Sequence, residues 1–423
     1  MSDYPSIFRL KQTFDRPLIE DIPAEVEAQL ASLSLGNKIQ AGQTVAITAG
    51  SRGIANIHMV IKGIVDHIKS LGGQPFIVPA MGSHGGGTPE GQRGIIEGYG
   101  ITEEFCGCPI KASMETIVVC EAAEGFPVHF DKHASEADHV VVCGRIKPHT
   151  DFFGDIQSGL MKMMLIGLGK HNGARIYHRA IKDFEFGQIV RSVGREVLSR
   201  CNVVAGLAIV ENAYDETAKL QAVAPEDMEE KEKDLLVLAK SWLPRLPFDR
   251  IDLLLIDQIG KNISGSGLDT NVVGRKGGYH KSNPKETPQT RLIGIRGLTE
   301  ETHGNGCGIG IVEFALTRAV DQIDLDITRI NCLTGGEAPG AAIPIHYRTD
   351  REVLNSALPL IGLTDPENAR LMWIRDTLHV SELECSVAYL DEARERDDLE
   401  IIVEPRPLPL DEQGMLPEVN TLG

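Results

Sequence analysis

The chain has no uninterrupted apolar run of about 18 residues, the length a helix needs to cross a bilayer, so the sequence offers no membrane span. Its first residues, MSDYPSIFRLKQTFDRP, lack the basic-then-apolar pattern of a secretory signal. Dense Lys/Arg runs are missing as well. With 60 acidic against 42 basic residues and a formal net charge of -18, the surface would repel a phosphate backbone, which argues against nucleic acid as a partner. Cysteine is sparse, eight in 423 residues. Cys106-Gly107-Cys108 is a lone C-x-C with no second pair, short of a structural zinc site. Cys201, Cys332 and Cys385 have apolar neighbours and read as buried reduced thiols. A cytoplasmic, reducing location is the expectation. No repeat of about 20 to 50 residues stands out.

What is present is the composition of a globular protein, 42% hydrophobic and 24% charged. A length of 423 residues suits two domains. The pattern alternates strands and helices. Thr44 to Thr48 is a β-branched strand, Ile54 to Leu71 has helical spacing, and Gln74 to Val78 returns as a strand. Thr88-Pro89-Glu90 starts a helix, with Thr as the cap and Pro in the first helical position. Short strands follow at 117 to 121 and 127 to 130, then His139 to Gly144, a helix over Ile181 to Arg200, a strand over Val203 to Val210 and a helix over Glu226 to Trp242. Leu243-Pro244-Arg245-Leu246-Pro247 reads as a linker. Arg250 to Ile256 and Leu292 to Arg296 are strands, and Ile311 to Val320 reads as a helix. The predicted fold is α/β: two α/β domains with largely parallel sheets and a cleft between them, residues 1–245 forming the catalytic domain and 246–423 a second domain that closes the cleft.

In such folds ligands collect beyond the carboxyl ends of strands. Three loops there carry chemistry. Arg52 follows the first strand of the alternating pattern, where either a carboxylate grip or a solvated surface position fits a guanidinium. Gly82-Ser83-His84-Gly85-Gly86-Gly87-Thr88 follows the next. Its glycines would let backbone N–H groups approach an anion, and His84 would be exposed and able to move a proton. Without a following Gly-Lys-Ser/Thr it is no P-loop.

The third loop, within Val140 to His178, holds Arg145, Lys147, His149, Asp151, Asp155, Ser158 and Gly159. Pro148 stiffens the backbone at His149, and Asp151 or Asp155 is placed to orient the ring. Lys162 lies in Leu160-Met161-Lys162-Met163-Met164-Leu165-Ile166, where it either snorkels to water or is desolvated and nucleophilic. His171 and His178 are seven residues apart and share a face if the segment is helical, as a surface pair or as metal ligands.

Taken in order, Arg52 after a strand, Gly82-Ser83-His84, Lys147-Pro148-His149 and Ser158-Gly159-Leu160-Met161-Lys162 resemble the lactate racemase family, which uses a nickel-pincer nucleotide. The likeness is best over roughly residues 40 to 210. It implies that Lys162 holds the pyridinium-thioamide nucleotide covalently. His178 would be the protein ligand to nickel, with His171 as the fallback. His84 and His149 would be acid/base residues, one for each enantiomer, and Arg52 would hold the substrate carboxylate. Gly82, Ser83, Gly85, Thr88, Ser158 and Gly159 would contact the cofactor. Lys261 and Asn262, in a loop of the second half, are candidates for substrate binding, with His303 a weaker one.

The implied substrate is a small 2-hydroxy acid. Two departures separate the chain from that family: Ala49-Gly50-Ser51 stands where an acidic residue is expected, and the Pro-His to Ser-Gly spacing is longer. Both point to a differently shaped, more polar substrate. Two other readings compete: a metal-dependent hydrolase or lyase that uses His84, His149 and His178 as ordinary ligands, and a non-catalytic protein whose Gly-rich loops bind a small anion or nucleotide.

Overall fold

The structure is a computed structural model, and it describes residues 4–51, 53–278, 280–282, 284 and 286–419. Arg52, the predicted carboxylate grip, lies outside the described residues. The chain forms two compact units, one spanning Arg16–Leu243 and the other built from the residues before and after it. The first strand, β1 (Ile7–Gln12), belongs to the second unit.

The first unit contains strands β2 (Thr44–Ala49), β3 (Gln74–Pro79), β4 (Thr116–Glu121), β5 (Pro127–Asp131), β6 (His139–Arg145), β7 (Val203–Glu211) and β8 (Thr217–Val223). Its helices are α1 (Ile22–Ala31), α2 (Ile57–Ser70), α3 (Pro89–Gly98), α4 (Glu103–Cys106), α5 (Lys132–Ser135), α6 (Leu160–Lys162), α7 (Lys170–Ala180), α8 (Phe186–Arg200) and α9 (Met228–Ser241). A five-stranded sheet runs β3-β2-β6-β7-β8. The first four strands are mutually parallel and β8 is an antiparallel edge. β4 and β5 make a separate antiparallel pair.

Burial on both faces explains the near-continuous apolar strands. Along β6, Val140 and Val142 feed one core and Val141 and Cys143 the other. α2 buries Ile57, Val60, Ile61, Ile64, Val65 and Ile68, one stripe at helical spacing. α3 starts as its sequence requires: Thr88 Oγ1 accepts the Gly91 N–H at 3.1 Å and Pro89 opens the first turn.

The strand order sets the position of the site. From β2 the chain moves outward to β3, then crosses back to β6 on the other side of β2. Loops leaving β2 and β6 therefore diverge at their carboxyl ends, and such a switch point is where open α/β sheets bind ligands. The loops that begin at Gly50, Ala80 and Ile146 all lie at this edge.

One buried ion pair locks the edge to what lies beneath it. Lys170 and Asp131 are both fully buried, with Nζ and Oδ2 2.9 Å apart. The lysine also donates to the carbonyl of Pro79. Asp131 Oδ1 caps α5 by accepting the Ala134 N–H at 2.8 Å. Lys170 adopts a left-handed backbone, φ 54°, a conformation that costs a non-glycine residue energy and persists only where surrounding contacts hold it. The ends of β3 and β5 and the start of α7 are thereby fixed to one another.

The second unit is an eight-stranded sheet. Its further strands are β9 (Arg250–Ile256), β10 (Gln289–Ile295), β11 (Phe314–Leu316), β12 (Ile345–Tyr347), β13 (Leu371–Ile374), β14 (Glu382–Ser386) and β15 (Leu399–Arg406), in the order β12-β11-β10-β9-β13-β14-β1-β15. β9 to β13 are parallel, while β14, β1 and β15 are antiparallel. The helix predicted over Ile311 to Val320 is instead a tight turn at Ile309–Ile311, then β11, then a short helix at Thr317–Asp321. Phe314, Ala315 and Leu316 are buried between β10 and β12, so tertiary pairing overrides the helical spacing.

Lys170→Met leaves the Asp131 carboxylate buried without its partner and is expected to cost about 3–5 kcal/mol. Denaturant unfolding measures this. The double variant Lys170→Met/Asp131→Asn is expected to recover most of the loss, and no recovery would mean that the pair is not the cause.

Candidate active site

The segment that carries Lys162 lies beneath all three loops. α6 runs directly into a π-helical turn, Met163–Gly167, closed by a bond from the Leu168 N–H to the Met163 carbonyl at 2.9 Å. Such π-bulges are rare and recur at functional sites. Met163 reaches toward the loop after β2, since a Cβ at Gly50 would meet its Cε at 3.1 Å. Ile166 supports the loop after β3, packing against Gly82.

Glu232 of α9 fixes the start of α6. Its carboxylate accepts the N–H groups of Met161, at 2.9 Å, and Leu160. Gly159 takes a positive φ of 121° to turn in, and any side chain there would strike this carboxyl group, 2.8 Å from a Cβ. Burial raises the Glu232 carboxyl to about 8, against the lowering effect of those two amides.

Around Lys162 the walls are aromatic. His149 stacks on Phe152 with centroids 4.3 Å apart, and Phe152 stacks on Phe186 at 4.2 Å. Lys162 Nζ stands 5.9 Å from the Phe152 ring centre and 5.8 Å from that of Phe186. The ammonium is half-buried against ring faces, an arrangement that favours a cation over π density.

His178 lies on α7 and feels this charge. Burial first, then Lys162 and Lys182, hold its imidazole below the ordinary histidine range. The ring is kept neutral, as a metal ligand must be. His171 is exposed one helical face-repeat earlier, beside Gly87: a Cβ on that glycine would lie 3.7 Å from His171 Nδ1.

The two remaining histidines are held differently. His84 is exposed, and its Nδ1 is 2.5 Å from Ser51 Oγ. Its backbone is pinned by Gln92, whose Nε2 donates to the carbonyls of Gly82 at 2.9 Å and His84 at 3.2 Å. Tyr99 donates to the Ser51 carbonyl at 2.9 Å, fixing the other side of the contact. His149 is half-buried, and its Nδ1 accepts the backbone N–H groups of Asp151 at 3.1 Å and Phe152 at 3.2 Å. The His149 N–H in turn donates to Gln157 Oε1 at 2.9 Å. Asp155, predicted as a possible orienter of His149, is paired with Arg191 instead.

Ser158 works as a staple. Its Oγ accepts the Lys147 N–H at 2.9 Å and donates back to the Lys147 carbonyl. The residues just after position 52 are tied down. Glu211 accepts the Ala55 N–H at 2.7 Å and pairs with Arg145, which also donates to the Gly53 carbonyl at 3.3 Å.

In the second unit, Lys261 donates through Nζ to Asn331 Oδ1 at 2.8 Å and through its amide to Thr302 Oγ1 at 3.1 Å. Asn262 Oδ1 accepts the Thr299 hydroxyl at 2.7 Å. Both side chains brace neighbouring loops. His303 is exposed at a turn, with φ 49°.

The structure thus brings His149 and Lys162 together around the Phe152–Phe186 stack, with the Lys162 charge felt at His178 and the His84–Ser51 contact on the loops after β3 and β2. Among the described residues no group of three or more His, Cys, Asp or Glu side chains is arranged to hold a metal ion. No helix of the described residues is long and apolar enough to cross a membrane.

Sequence reading missed Glu232, Lys170, Phe152 and Phe186. Glu232 had a legible signal, because it falls on the buried stripe of α9 with Met228, Leu235, Leu236 and Ala239.

Residues 15–186 match the family model described as the lactate racemase N-terminal domain. Among solved structures, the chain is similar to the lactate racemase apoprotein from Thermoanaerobacterium thermosaccharolyticum. The identity is 14% and the TM-score 0.52, over 88% of this chain and 94% of that one. At that identity the likeness is one of fold. No curated protein matches the sequence.

Glu232 also predicts a pH dependence. Its folded pKa of about 8 lies above the ordinary value of about 4.3, so the folded state holds the extra proton between them and stability falls as pH rises through that window. Glu232→Gln is expected to remove this slope, worth on the order of 5 kcal/mol in full, from unfolding free energies measured between about pH 4 and pH 9. An unchanged slope would contradict the assignment.

Proposed function

With residues 15–186 forming a lactate racemase N-terminal domain, the chain is lactate racemase-like, and from that premise we propose that it is a racemase or epimerase of a 2-hydroxy acid. The observation that carries the reading is the placement of Lys162 beside the Phe152–Phe186 stack, on which His149, in the loop after β6, also packs.

These residues fit the nickel-pincer nucleotide. Lys162 offers a primary amine between aromatic faces for the covalent link. His178 offers a neutral imidazole, the form that binds nickel. Its half-buried position next to Lys162 favours it over the exposed His171. A single protein ligand suffices where the cofactor carries the other donors. When bound, the nucleotide supplies reversible acceptance of hydride from the substrate's α-carbon.

The chain's own residues do the rest. Gly82, Ser83, Gly85 and Thr88 line the loop assigned to the cofactor's phosphate, where α3 begins. Ser158 and Gly159 set the approach of α6 and so the position of Lys162. Arg52 is assigned to the substrate carboxylate. His84 and His149 handle the hydroxyl proton and the developing carbonyl oxygen. Lys261 and Asn262 are kept as candidates for substrate binding. The serine-containing Ala49-Gly50-Ser51 turn, in place of an acidic residue, suits a more polar hydroxy acid such as a sugar acid.

After supply of the cofactor, intact mass is expected to show a covalent increment that maps to Lys162, with stoichiometric nickel. Lys162→Ala is expected to lose the increment and racemisation together, and His178→Ala to lose most of the nickel. Full racemisation by Lys162→Ala would contradict the proposal, and tightly bound zinc without an increment would favour the hydrolase reading.

A further inference from the structure

The second unit holds a pair of cysteines that the proposed reaction does not use. Cys307 follows Gly306 in the glycine-rich loop 301–310. Cys332 lies on the helix Leu325–Thr334, whose buried residues are Thr328 and Cys332, one turn apart on a single face. The loop is laid along that face. The Gly306 N–H donates to Thr328 Oγ1 at 2.9 Å, and Thr328 Oγ1 donates to the Gly304 carbonyl at 3.4 Å. One residue on, the Cys332 thiol hydrogen-bonds the Cys307 sulfur. Both are free thiols, Cys307 partly exposed and Cys332 buried.

A positive charge reaches the pair from the loop after β9. Lys261 Nζ donates to Asn331 Oδ1, on the residue before Cys332, at 2.8 Å, and to the Gly265 carbonyl. This loop lies against Cys307, since side chains at Gly267 and Gly308 would run into the Cys307 and Ser266 carbonyls. The hydrogen bond from Cys332 first, then the Lys261 ammonium, bring the Cys307 thiol down to about 6, against burial and the Glu337 carboxylate. Cys332 is raised, by its hydrogen bond to Cys307 and then by burial. Burial also raises Cys106, Cys108, Cys143, Cys201 and Cys385, as it does for structural thiols. A reachable thiolate in contact with a second, neutral sulfur is the arrangement that oxidants select.

We propose that Cys307 and Cys332 form an oxidation site for hydroperoxides, with Cys307 as the attacking sulfur and Cys332 as the resolving one. The Cys307 thiolate attacks one oxygen of hydrogen peroxide. The S–O bond forms, the O–O bond breaks, and the leaving hydroxide takes up a proton as water. Cys307 is then a sulfenic acid. The charge and the acceptor that held the Cys332 proton are lost with the thiolate. The Cys332 sulfur attacks the Cys307 sulfur, the S–O bond breaks, and the leaving hydroxide combines with the Cys332 proton as a second water. The two thiols have lost a pair of electrons to the peroxide, and an S–S bond ties the loop to the helix. A dithiol reductant reverses the step by exchange. The chemistry uses neither the nickel nucleotide nor a hydroxy acid.

The test takes the full chain, reduced and folded, treats it with hydrogen peroxide and digests it without reductant. A peptide pair joined through Cys307 and Cys332 is expected, and dithiothreitol is expected to separate it. In Cys332→Ser the sulfenic acid has no resolving sulfur, and dimedone is expected to capture it at Cys307. In Cys307→Ser neither the joined peptides nor a dimedone adduct at Cys332 is expected. Alkylation of Cys307 by iodoacetamide, followed against pH in the untreated protein, is expected to have its midpoint below the ordinary thiol value of about 8.5. Peroxide that leaves both thiols reduced, or that joins or oxidises other cysteines first, would overturn the proposal. So would a dimedone adduct at Cys332 in Cys307→Ser, or an alkylation midpoint at or above the ordinary value. None of these outcomes bears on the racemase reading, which stands or falls with the increment on Lys162.

Discussion

The ion pair between Lys170 and Asp131 joins the parts that carry the chemistry. An ammonium and a carboxylate with no access to water would each cost several kcal/mol to bury alone. At 2.9 Å, with the Pro79 carbonyl as a further acceptor, each supplies what the other lost in solvent. The contact ties the end of β3, from which the His84 loop departs, to the end of β5 and to the first residue of α7, which carries His178. It is also strong enough to hold Lys170 in a left-handed conformation that a lysine does not choose. The relative placement of the glycine-rich loop, the Lys162 turn and the metal-ligand candidate follows from it.

Charge control at the site is built on the same principle of unequal burial. Lys162 is half-buried against two aromatic rings, and its charge reaches His178 and keeps that imidazole neutral. Glu232, buried at the start of α6, is pushed toward its protonated form and anchors the turn through two amides.

Much of this was legible in the sequence. The alternation of β-branched runs with helical spacing gave parallel α/β sheets, and the loops holding Arg52, His84 and His149 do follow adjacent parallel strands. The Thr88-Pro89 helix start has the capping bond its residues promise. Short motifs singled out Lys162, His149 and His84 as candidates because glycine, proline and isolated charges in apolar runs have few structural uses. What escaped was long-range. Lys170 and Asp131 are 39 residues apart in sequence, Glu232 and Met161 are 71 apart, and no local pattern links either pair. β1 joins the second unit's sheet between β14 and β15, a pairing fixed by packing. β11 was read as helix because Phe314-Ala315-Leu316 gains its strand character only from its neighbours. Nor does sequence display the different hydrogen bonds at Nδ1 of His84 and His149.

The proposed reaction inverts a hydroxylated carbon by removing hydride and returning it to the opposite face. The most direct measurement follows an α-deuterated 2-hydroxy acid that the loaded enzyme turns over in ordinary water. The account predicts that the product of opposite configuration keeps its deuterium at the α-carbon, because the hydride never exchanges with solvent. Loss of deuterium to water in step with inversion would contradict it, since that outcome requires removal of the α-hydrogen as a proton.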